Sequence, residues 1–402
     1  MMVVTPTRKA AQVASAQIGA SAAPVAWLLH QHGYRWDAKG RWGRIRTEPE
    51  ASARLAAGDL LVVDEAGMLD QDSADALLVL ADETGARVAL VGDRHQLPAV
   101  GRGGVLDLAC RYAPSRHLTM DGVRRFTDPR YAQLSLQMRR GEAPGEVFDE
   151  LARRGEIVVH ASEVERLAAL AGVAQRGHAV VADTREQVAK INGLVHDFRR
   201  ITGEVSDGVV TASGERIGVG DVVATRHNDS TTGVANRETW TVTSVDRRGL
   251  KVSGPPGRRR LLREYVAEHV ELAYATTAHG IQGVTVSTAH VLVGHHTSGS
   301  SVYVGMTRGR DHNIAHLVGE DLDDARQQWI EVFGRDRADL GPAHAAQRAA
   351  EDIERYGPIG ARHYVGRARQ LRPEDERAVT RRRLEPPARM TPTRSSDPGI
   401  GL

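Results

Sequence analysis

The sequence predicts an α/β protein in which helices cover parallel sheets, with one all-β insertion. Short apolar runs alternate with helix-like stretches over residues 2–110, which is typical of a parallel sheet packed between helices. The pattern changes over 205–272 to short β-type segments separated by Gly, Asn and Asp turns, and the α/β pattern resumes at 286. We therefore expect the β module to interrupt a domain and not to follow one.

The first predicted unit contains the apolar runs MVV, LLVV and VALV, with helices over 8–20 and 72–82. Residues 116–156 are mixed and basic, and HAVVAD (178–183) opens a second α/β unit. A helix is predicted after that run, because Thr184 with a glutamine three residues later is typical of the capping box that begins a helix.

The insertion contains VVTASG, DVVATRHND, TWTVTSVD and LKVSG, which together predict a small β-barrel-like module. Two further strands are predicted after it, at 286–294 and 301–307. The chain from 323 to 402 is charged, and we expect its last twenty or so residues to be disordered.

The composition limits the class of protein. The 402 residues suffice for two or three packed domains, and the net charge is +2. Nearly all basic residues are arginine, which suits phosphate recognition but also follows from a G- and C-rich genome. The single cysteine, Cys110, excludes an internal disulfide and a cysteine-cluster metal site. With no apolar span or signal peptide in the pattern, we expect a cytoplasmic protein without a membrane partner.

Two adjacent carboxylates follow the apolar run LLVV in LLVVDEAGMLD (60–70). Open α/β sheets place their chemistry at the carboxyl ends of strands, where Asp64 and Glu65 are expected. In the functional interpretation, Asp64 holds Mg²⁺ through its water shell and Glu65 aligns and deprotonates an attacking water. The alternative is that the pair simply caps a helix.

A second strand with polar groups at its end is predicted in VALVGDRHQLPAVGRGG (88–104). It ends in Gly92-Asp93, and the following turn presents Gln96 near the mouth of the same sheet. A neutral amide at that place can contact a γ-phosphate and report its presence to a neighbouring domain.

Two later segments carry further polar groups. YATTAHGIQGVTV (274–286) concentrates hydrogen-bonding side chains and a glycine, which suits contact with a sugar-phosphate backbone. Its candidate residues are Thr277, His279, Gln282, Gly283 and Thr285. VYVGMTRGRD (302–311) is predicted as a strand that ends by projecting Arg308 and Arg310, and an arginine from a second domain can stabilise phosphoryl transfer.

In this order and spacing, the segments resemble the RecD-like branch of superfamily 1 DNA helicases, and within it the helicase region of TraA-type (MobF-like) conjugative relaxases. The likeness covers about residues 3–320. It implies two RecA-like P-loop NTPase motor domains, the first incomplete, with an inserted SH3-like β subdomain. It also implies ATP and Mg²⁺ as cofactors and single-stranded DNA as the partner.

The resemblance assigns roles in the first half of the chain. VVTPTRKAA (3–11) is similar to the first strand-contacting motif, with Thr5 and Thr7 near DNA. DEAG (64–67) resembles the Mg²⁺ and water-activating motif, and GDRHQL (92–97) resembles the motif that couples nucleotide to DNA through Gln96.

The resemblance also assigns roles further along. In DGVRRFTDP (121–129), Arg125 matches an arginine that reaches the γ-phosphate, with the adjacent Arg124 as the alternative register. TTAHGIQGVT (276–285) resembles the DNA-contacting motif of the second motor domain, with its Gly283 placed among the nucleotide-binding residues. Arg308 in MTRGR matches the second phosphate-sensing arginine.

The resemblance divides the chain into five parts. They are a first motor domain (1–115), a connecting segment with the phosphate-sensing arginine (116–160), a second motor domain (161–204 and 273–322), the inserted SH3-like module (205–272) and a charged tail (323–402).

One motif of this class does not occur in the sequence. The phosphate loop G-x-x-x-x-G-K-[ST] needs a glycine before its lysine. No lysine here follows glycine: Lys9 follows Arg8, Lys39 follows Ala38, Lys190 follows Ala189 and Lys251 follows Leu250. In the family the loop and its strand precede the segment that begins here at Met1. We therefore expect unpaired ladder groups beside the strand ending at Asp64, and either a less stable first domain or a neighbouring segment drawn into the vacant position.

Two functions are consistent with these features. The first is the motor of an ATP-dependent DNA helicase or translocase, moving 5′ to 3′ in conjugative transfer or in recombination and repair. Its phosphate loop would come from a longer chain or an upstream polypeptide. The second is a non-hydrolysing remnant that binds single-stranded DNA through Thr5, Thr277 and His279. A decayed gene fragment without function is a third.

Overall fold

The computed structural model describes residues 1–36, 42–99, 102–120, 122–206, 208–229 and 231–335. All of these lie within one compact unit, Met1–Leu340. The last twenty residues, predicted to be disordered, lie outside the described residues. In the described ranges, no helix has the length and apolar character needed to cross a membrane.

The first unit is an α/β layer, as predicted. Its elements are β1 (Met2–Thr5), α1 (Arg8–Ile18), β2 (Ala22–Pro24), α2 (Val25–Gln31), β3 (Tyr34–Trp36), β4 (Trp42–Arg44), β5 (Leu60–Val63), α3 (Gln71–Thr84), β6 (Arg87–Leu90) and α4 (Val105–Tyr112). Strands β2, β1, β5 and β6 form a parallel sheet in that order, and β3 pairs with β4 in a separate antiparallel hairpin. Leu77 and Leu80 of α3 pack in one core with Leu61 and Val63 of β5, which fixes the strand that ends at Asp64.

The expected gap beside the strand of Asp64 is absent from the described sheet. β5 pairs with β1 on one side and with β6 on the other, so that expectation is wrong. The edges of the described sheet are β2 and β6, and none of the four residues of β6 is fully buried.

The segment predicted as mixed and basic folds into two helices. They are α5 (Pro129–Arg140) and α6 (Pro144–Arg153), and they are followed by β7 (Ile157–His160), α7 (Glu163–Gln175), β8 (Ala179–Ala182) and α8 (Arg185–Ile201). The predicted capping box at the start of α8 is confirmed, since Thr184 and Gln187 exchange side-chain and backbone hydrogen bonds.

The inserted module is an antiparallel sheet. Its elements are β9 (Val209–Val210), β10 (Arg216–Ile217), β11 (Val222–Thr225), β12 (Thr239–Asp246), β13 (Gly249–Gly254), β14 (Gly257–Leu262), α9 (Arg263–His269) and β15 (Val270–Leu272). Five strands follow the order β14, β13, β12, β11, β15 around a core that contains the fully buried Trp240. The SH3-like character of this module stays a prediction.

The chain then returns to the second parallel sheet. The remaining elements are β16 (Ala275–Thr277), α10 (Ala278–Ile281), β17 (Val286–Leu292), α11 (Gly299–Gly305), β18 (Gly309–Val318) and α12 (Leu322–Phe333). The order β16, β8, β17, β18, β7 shows that the β module interrupts this sheet, as expected, and that the sheet already begins at β7.

Two predictions after the insertion are wrong. The run at 301–307, predicted as a strand, is mostly helix α11, because Ser298 caps its first turn and Val302 and Val304 pack into the core. Burial here overrides the strand preference of valine. The predicted charged tail begins with a packed helix, since Trp329 of α12 is fully buried in the same core.

A buried polar cluster anchors the β module to the second sheet. The carboxylate of Asp221, fully buried at the start of β11, accepts hydrogen bonds from the Tyr274 hydroxyl (2.6 Å) and the Gly218 N–H (2.7 Å). It also lies 2.9 Å from Nδ1 of His196 on α8. His196, before the insertion, and Tyr274, after it, thus both contact one carboxylate inside it.

Four histidines form a hydrogen-bonded row across the second sheet. Nε2 of His160 lies 2.9 Å from Nδ1 of His316, Nε2 of His316 lies 2.9 Å from Nδ1 of His290, and Nε2 of His290 lies 3.1 Å from Nδ1 of His178. Burial lowers the pKa of His316 to about 3 and that of His290 to about 4. These two rings are therefore neutral in the folded chain at neutral pH.

We expect the second sheet to lose stability as pH falls below about 6.5, the pKa of an unfolded histidine. The unfolded chain then binds protons at these two histidines, whereas the folded chain does not. This difference lowers the free energy of unfolding by roughly 2 kcal/mol for each of His290 and His316 at about pH 5. The free energy of unfolding in urea, compared at about pH 7.5 and about pH 5, measures this loss.

The substitution His316→Asn should reduce that pH dependence, whereas His312→Asn, at an exposed site on the same strand, should leave it unchanged. This comparison is needed because burial raises the pKa of Glu215 to about 7, which stabilises the fold on acidification and opposes the histidines. Equal pH dependence in both variants would contradict the assignment.

Candidate functional site

The two predicted strand ends interlock through their backbones. Glu65 has φ 55°, a left-handed conformation that is uncommon for a residue with a side chain. A Cβ on Gly92 would lie 2.9 Å from the amide nitrogen of Ala66, and one on Gly67 would lie 2.7 Å from the carbonyl oxygen of Asp93. Glycine at both positions permits this approach, and the approach holds Glu65 in its strained turn.

Glu65 lies at a cleft between the two sheets. Burial and the adjacent Asp64 raise the pKa of its carboxyl, while Arg308, Arg125 and Gln282 oppose the rise. Three segments far apart in sequence thus act on one carboxylate. A raised pKa makes a carboxylate a stronger base when it is ionised.

The two predicted phosphate-sensing arginines act electrostatically on Glu65. Arg308 is 1% exposed, in the turn between α11 and β18, and its guanidinium donates to the Val304 carbonyl (2.8 Å) and the Thr307 hydroxyl (3.0 Å). Within the described part of the chain it forms no ion pair, and burial followed by repulsion from Arg125 lowers its pKa to about 10. A guanidinium with such surroundings favours an anionic ligand.

Arg125 and Arg124 differ in position. Nη1 of Arg125 donates to the carbonyl oxygen of Thr307 (2.7 Å), next to Arg308, whereas Arg124 is exposed. Of the two alternative registers, the geometry therefore favours Arg125. Arg310, predicted at a strand end, lies near the start of β18 with its side chain mostly exposed.

The loop after β6 connects the two parallel sheets. The carboxylate of Asp93 accepts hydrogen bonds from the Tyr303 hydroxyl on α11 (2.9 Å) and from Nε of Arg139 on α5 (3.0 Å). Three residues later, Oε1 of Gln96 accepts a long hydrogen bond from Nε2 of Gln282 (3.4 Å). Oε1 of Gln282 is buried without a partner among the described residues, which leaves it available at the cleft.

A cavity of about 570 Å³ extends from Glu65 along the boundary between the first unit, the β module and α10. Arg8, Lys9 and Arg237 contribute its positive charge. Nζ of Lys9 donates to the carbonyl oxygen of Gly280 (3.2 Å), and Arg237 donates to the carbonyl oxygen of His279. Burial and Arg237 lower the pKa of Lys9, so an anion in the cavity would stabilise the charged form of both groups.

The predicted DNA-contacting residues divide into two groups. Three of them line the cavity, Thr7, His279 and Gln282, as does Gly283, which is predicted to bind nucleotide. Thr5 does not, because it is 0% exposed and its hydroxyl donates to the carbonyl oxygen of Thr7, so its place near DNA stays a prediction. Thr277 caps α10 by accepting from the Gly280 N–H, and Thr285 is exposed outside the cavity lining.

Several residues of the site were missed by sequence reasoning. Lys9 lies inside the segment already identified, and its basic side chain was the available signal. Arg237 and the asparagines Asn228 and Asn236, which also line the cavity, come from loops of the β module and carried no motif. The contact between Asp93 and Tyr303 spans 210 residues, and no local pattern predicts such a pair.

Asp64 remains the candidate residue for Mg²⁺. The described residues contain no group of three or more His, Cys, Asp or Glu side chains arranged to hold a metal. A single carboxylate acting through water suits Mg²⁺, which retains several water ligands and also uses substrate phosphates. The chemistry of the site fits a magnesium-bound nucleotide phosphate. The acidic pair would serve the metal and its water, and the two arginines and two amides would serve the phosphate.

The chain is similar to several known proteins. Residues 1–162 match a family described as an AAA domain. The conjugal transfer protein TraA of Agrobacterium fabrum (strain C58 / ATCC 33970) is 28% identical over 284 residues, which are 67% of this chain and 25% of TraA. The ATP-dependent RecD2 DNA helicase of Deinococcus radiodurans is 29% identical over 269 residues, which are 63% of this chain and 35% of that protein.

The fold is also similar to that of a solved structure. Bacteroides Pif1 bound to single-stranded DNA superposes over 89% of this chain and 88% of its own, with a TM-score of 0.51 and 17% sequence identity. The predicted class, α/β with parallel sheets of the RecA-like type, is thereby confirmed. The chain spans only 25% of the length of TraA and 35% of that of RecD2.

The substitution Tyr303→Phe should weaken the attachment of the Asp93 loop to the second sheet. A hydrogen bond to a carboxylate contributes about 1.5–3 kcal/mol, and Arg139 would still pair with Asp93. The free energy of unfolding in urea should fall by an amount in this range for Tyr303→Phe and stay unchanged for Tyr112→Phe, at an exposed tyrosine.

A double-mutant cycle with Asp93→Asn isolates the pair. A coupling energy below ~0.5 kcal/mol, which is typical of independent sites, would show that the two side chains do not interact in solution.

Proposed function

We propose that the chain, which is similar to TraA and RecD2 and matches an AAA domain over residues 1–162, forms the motor core of an ATP-dependent DNA helicase or translocase of superfamily 1. The observation that carries this proposal is that Glu65 and Gln282 line one cavity, while Arg125 and Arg308, which both hydrogen-bond to Thr307, act electrostatically on the Glu65 carboxylate. A site assembled across two domains can couple the chemistry at a phosphate to a movement between the domains.

Each residue of the cleft has a proposed task. Asp64 would hold Mg²⁺ through water, and Glu65 would align a water molecule and accept its proton. Arg125 and Arg308 would orient the terminal phosphate, and Gln96 would sense it. The bound magnesium nucleotide would supply the phosphoryl group and neutralise part of its charge.

We propose that the cavity binds single-stranded DNA. Lys9 and Arg237 would neutralise phosphates, while Thr7, His279 and Gly283 border the same space. The bound strand in Bacteroides Pif1 and the conjugal transfer function of TraA support this proposal by analogy. Movement from 5′ to 3′ and a role in conjugative transfer are the finer parts of the proposal.

A second candidate function is single-stranded DNA binding without hydrolysis. It is favoured by one observation, the absence of G-x-x-x-x-G-K-[ST] from the 402 residues. In the first function, an additional polypeptide segment would supply that loop.

The substitution Glu65→Gln should lower DNA-stimulated ATP hydrolysis by a factor of about 10²–10⁴, the usual effect of removing a general base. Glu268→Gln, at an exposed position on α9, is the matched control and should have no effect. Phosphate release by the purified chain with oligothymidylate is the measurement. If the unaltered chain does not hydrolyse ATP but still binds DNA, the second candidate function is the correct one.

The substitution Lys9→Gln should weaken single-stranded DNA binding and reduce the slope of log affinity against log salt by roughly 0.7, the value for one phosphate contact. Lys190→Gln, at an exposed lysine paired with Glu186, should change neither quantity. Fluorescence anisotropy of labelled oligothymidylate at several salt concentrations measures both, and equal behaviour of the two variants would place the strand outside the cavity.

A further inference from the structure

The outer edge of the β module carries a strong concentration of positive charge. Residues 247–263 contain seven arginines or lysines and no aspartate or glutamate, although the whole chain has 53 basic and 51 acidic residues. They form the turn after β12, the β13–β14 hairpin and the first residue of α9. We call this segment the basic hairpin.

The strand register places the charges close together on one face. Lys251 pairs directly with Arg260, and Ser253 pairs with both Arg258 and Thr241. Like charges opposite each other on neighbouring strands destabilise a sheet unless an anion lies between them. In the described structure only Arg260 of this face has an acidic partner, Asp246 (2.8 Å).

The face has the chemistry of a phosphate-binding surface. Thr241 of β12 is exposed beside the basic side chains, so a hydroxyl donor accompanies the positive charges. Most contacts that position a nucleic acid go from such side chains to phosphate oxygens. Hydrophobic side chains, which a membrane or an apolar partner would require, are nearly absent from this face, where Leu262 is the exception.

The basic hairpin is continuous with the cavity. A Cβ on Gly233 would lie 3.4 Å from Nε of Arg259 on β14, so the hairpin contacts the loop around Gly233. The same loop ends at Asn236 and Arg237, which line the cavity. Arg259 is in register with the buried Val252, so its side chain lies on the opposite face of β14 from Lys251 and Arg258. A strand that leaves the cavity on this side therefore meets the edge strand β14 first and reaches the face with Lys251 and Arg258 around that edge.

We propose that the basic hairpin is a second nucleic-acid surface, which binds the phosphate backbone of the single strand beyond the cavity. The proposal rests on the proposed DNA-binding function and extends it to a longer site. It predicts that affinity grows with strand length past the cavity, and that this growth depends on the hairpin.

The test uses the full chain and a length series of labelled oligothymidylates. The triple variant Arg247→Ala, Lys251→Ala, Arg258→Ala removes three exposed side chains that make no ion pair in the described residues. The control triple variant Arg140→Ala, Arg176→Ala, Arg200→Ala removes three exposed arginines at the ends of α5, α7 and α8.

For long oligonucleotides, the hairpin variant should lose roughly 2 from the slope of log affinity against log salt, because three single-strand phosphate contacts contribute about 0.7 each. For the shortest oligonucleotides that bind, the slope of the hairpin variant should equal that of the unaltered chain. The slope of the control variant should equal that of the unaltered chain at every oligonucleotide length.

Equal slopes for both variants at all lengths would overturn this inference and leave the proposed DNA-binding function intact. No binding of any oligothymidylate by the unaltered chain would refute both. Binding of phosphatidylglycerol vesicles that only the hairpin variant loses, with DNA slopes unchanged, would assign the surface to membranes and also overturn the inference.

Discussion

The rest of the site depends on the backbone contact between Gly92 and the turn after β5. Neither strand end could approach the other if a Cβ were present, and without that approach Glu65 would relax from its left-handed conformation. The contact also sets the direction of the loop after β6. As a result, Asp93 reaches Tyr303 and Gln96 reaches Gln282 on the second sheet. One steric condition thus positions the carboxylate and its connection to the other domain.

The sequence predicted much of the fold, because apolar runs and turn residues are local signals. The strand before Asp64, the capping box at Thr184 and the interruption by a β module could all be predicted in this way. Helix α11 could not be predicted in this way, since its valines favour a strand locally and the helix is stabilised by their burial in the core. The positions of Arg237 and Tyr303 depend on contacts between distant segments, which no local pattern encodes.

The β module connects regions that the two sheets alone would leave apart. Asp221 of the module contacts His196 on α8 and accepts a hydrogen bond from Tyr274 just before β16, so the module has little freedom to tilt against the second sheet. Its loops contribute Arg237 to the cavity, and Gln12 of α1 donates a hydrogen bond to Glu238 from the first unit. A displacement of the first unit is therefore transmitted to the wall of the cavity.

The histidine row has a direction. Every link joins Nε2 of one ring to Nδ1 of the next, from His160 through His316 and His290 to His178. A neutral imidazole carries one N–H, so the tautomer of one ring fixes that of its neighbour. With all three hydrogen bonds formed between neutral rings, the row has only two arrangements of its protons. In one arrangement every ring carries its proton on Nε2, and in the other on Nδ1. A proton gained at one end of the row and released at the other would convert one arrangement into the other, without any change of net charge beneath α7.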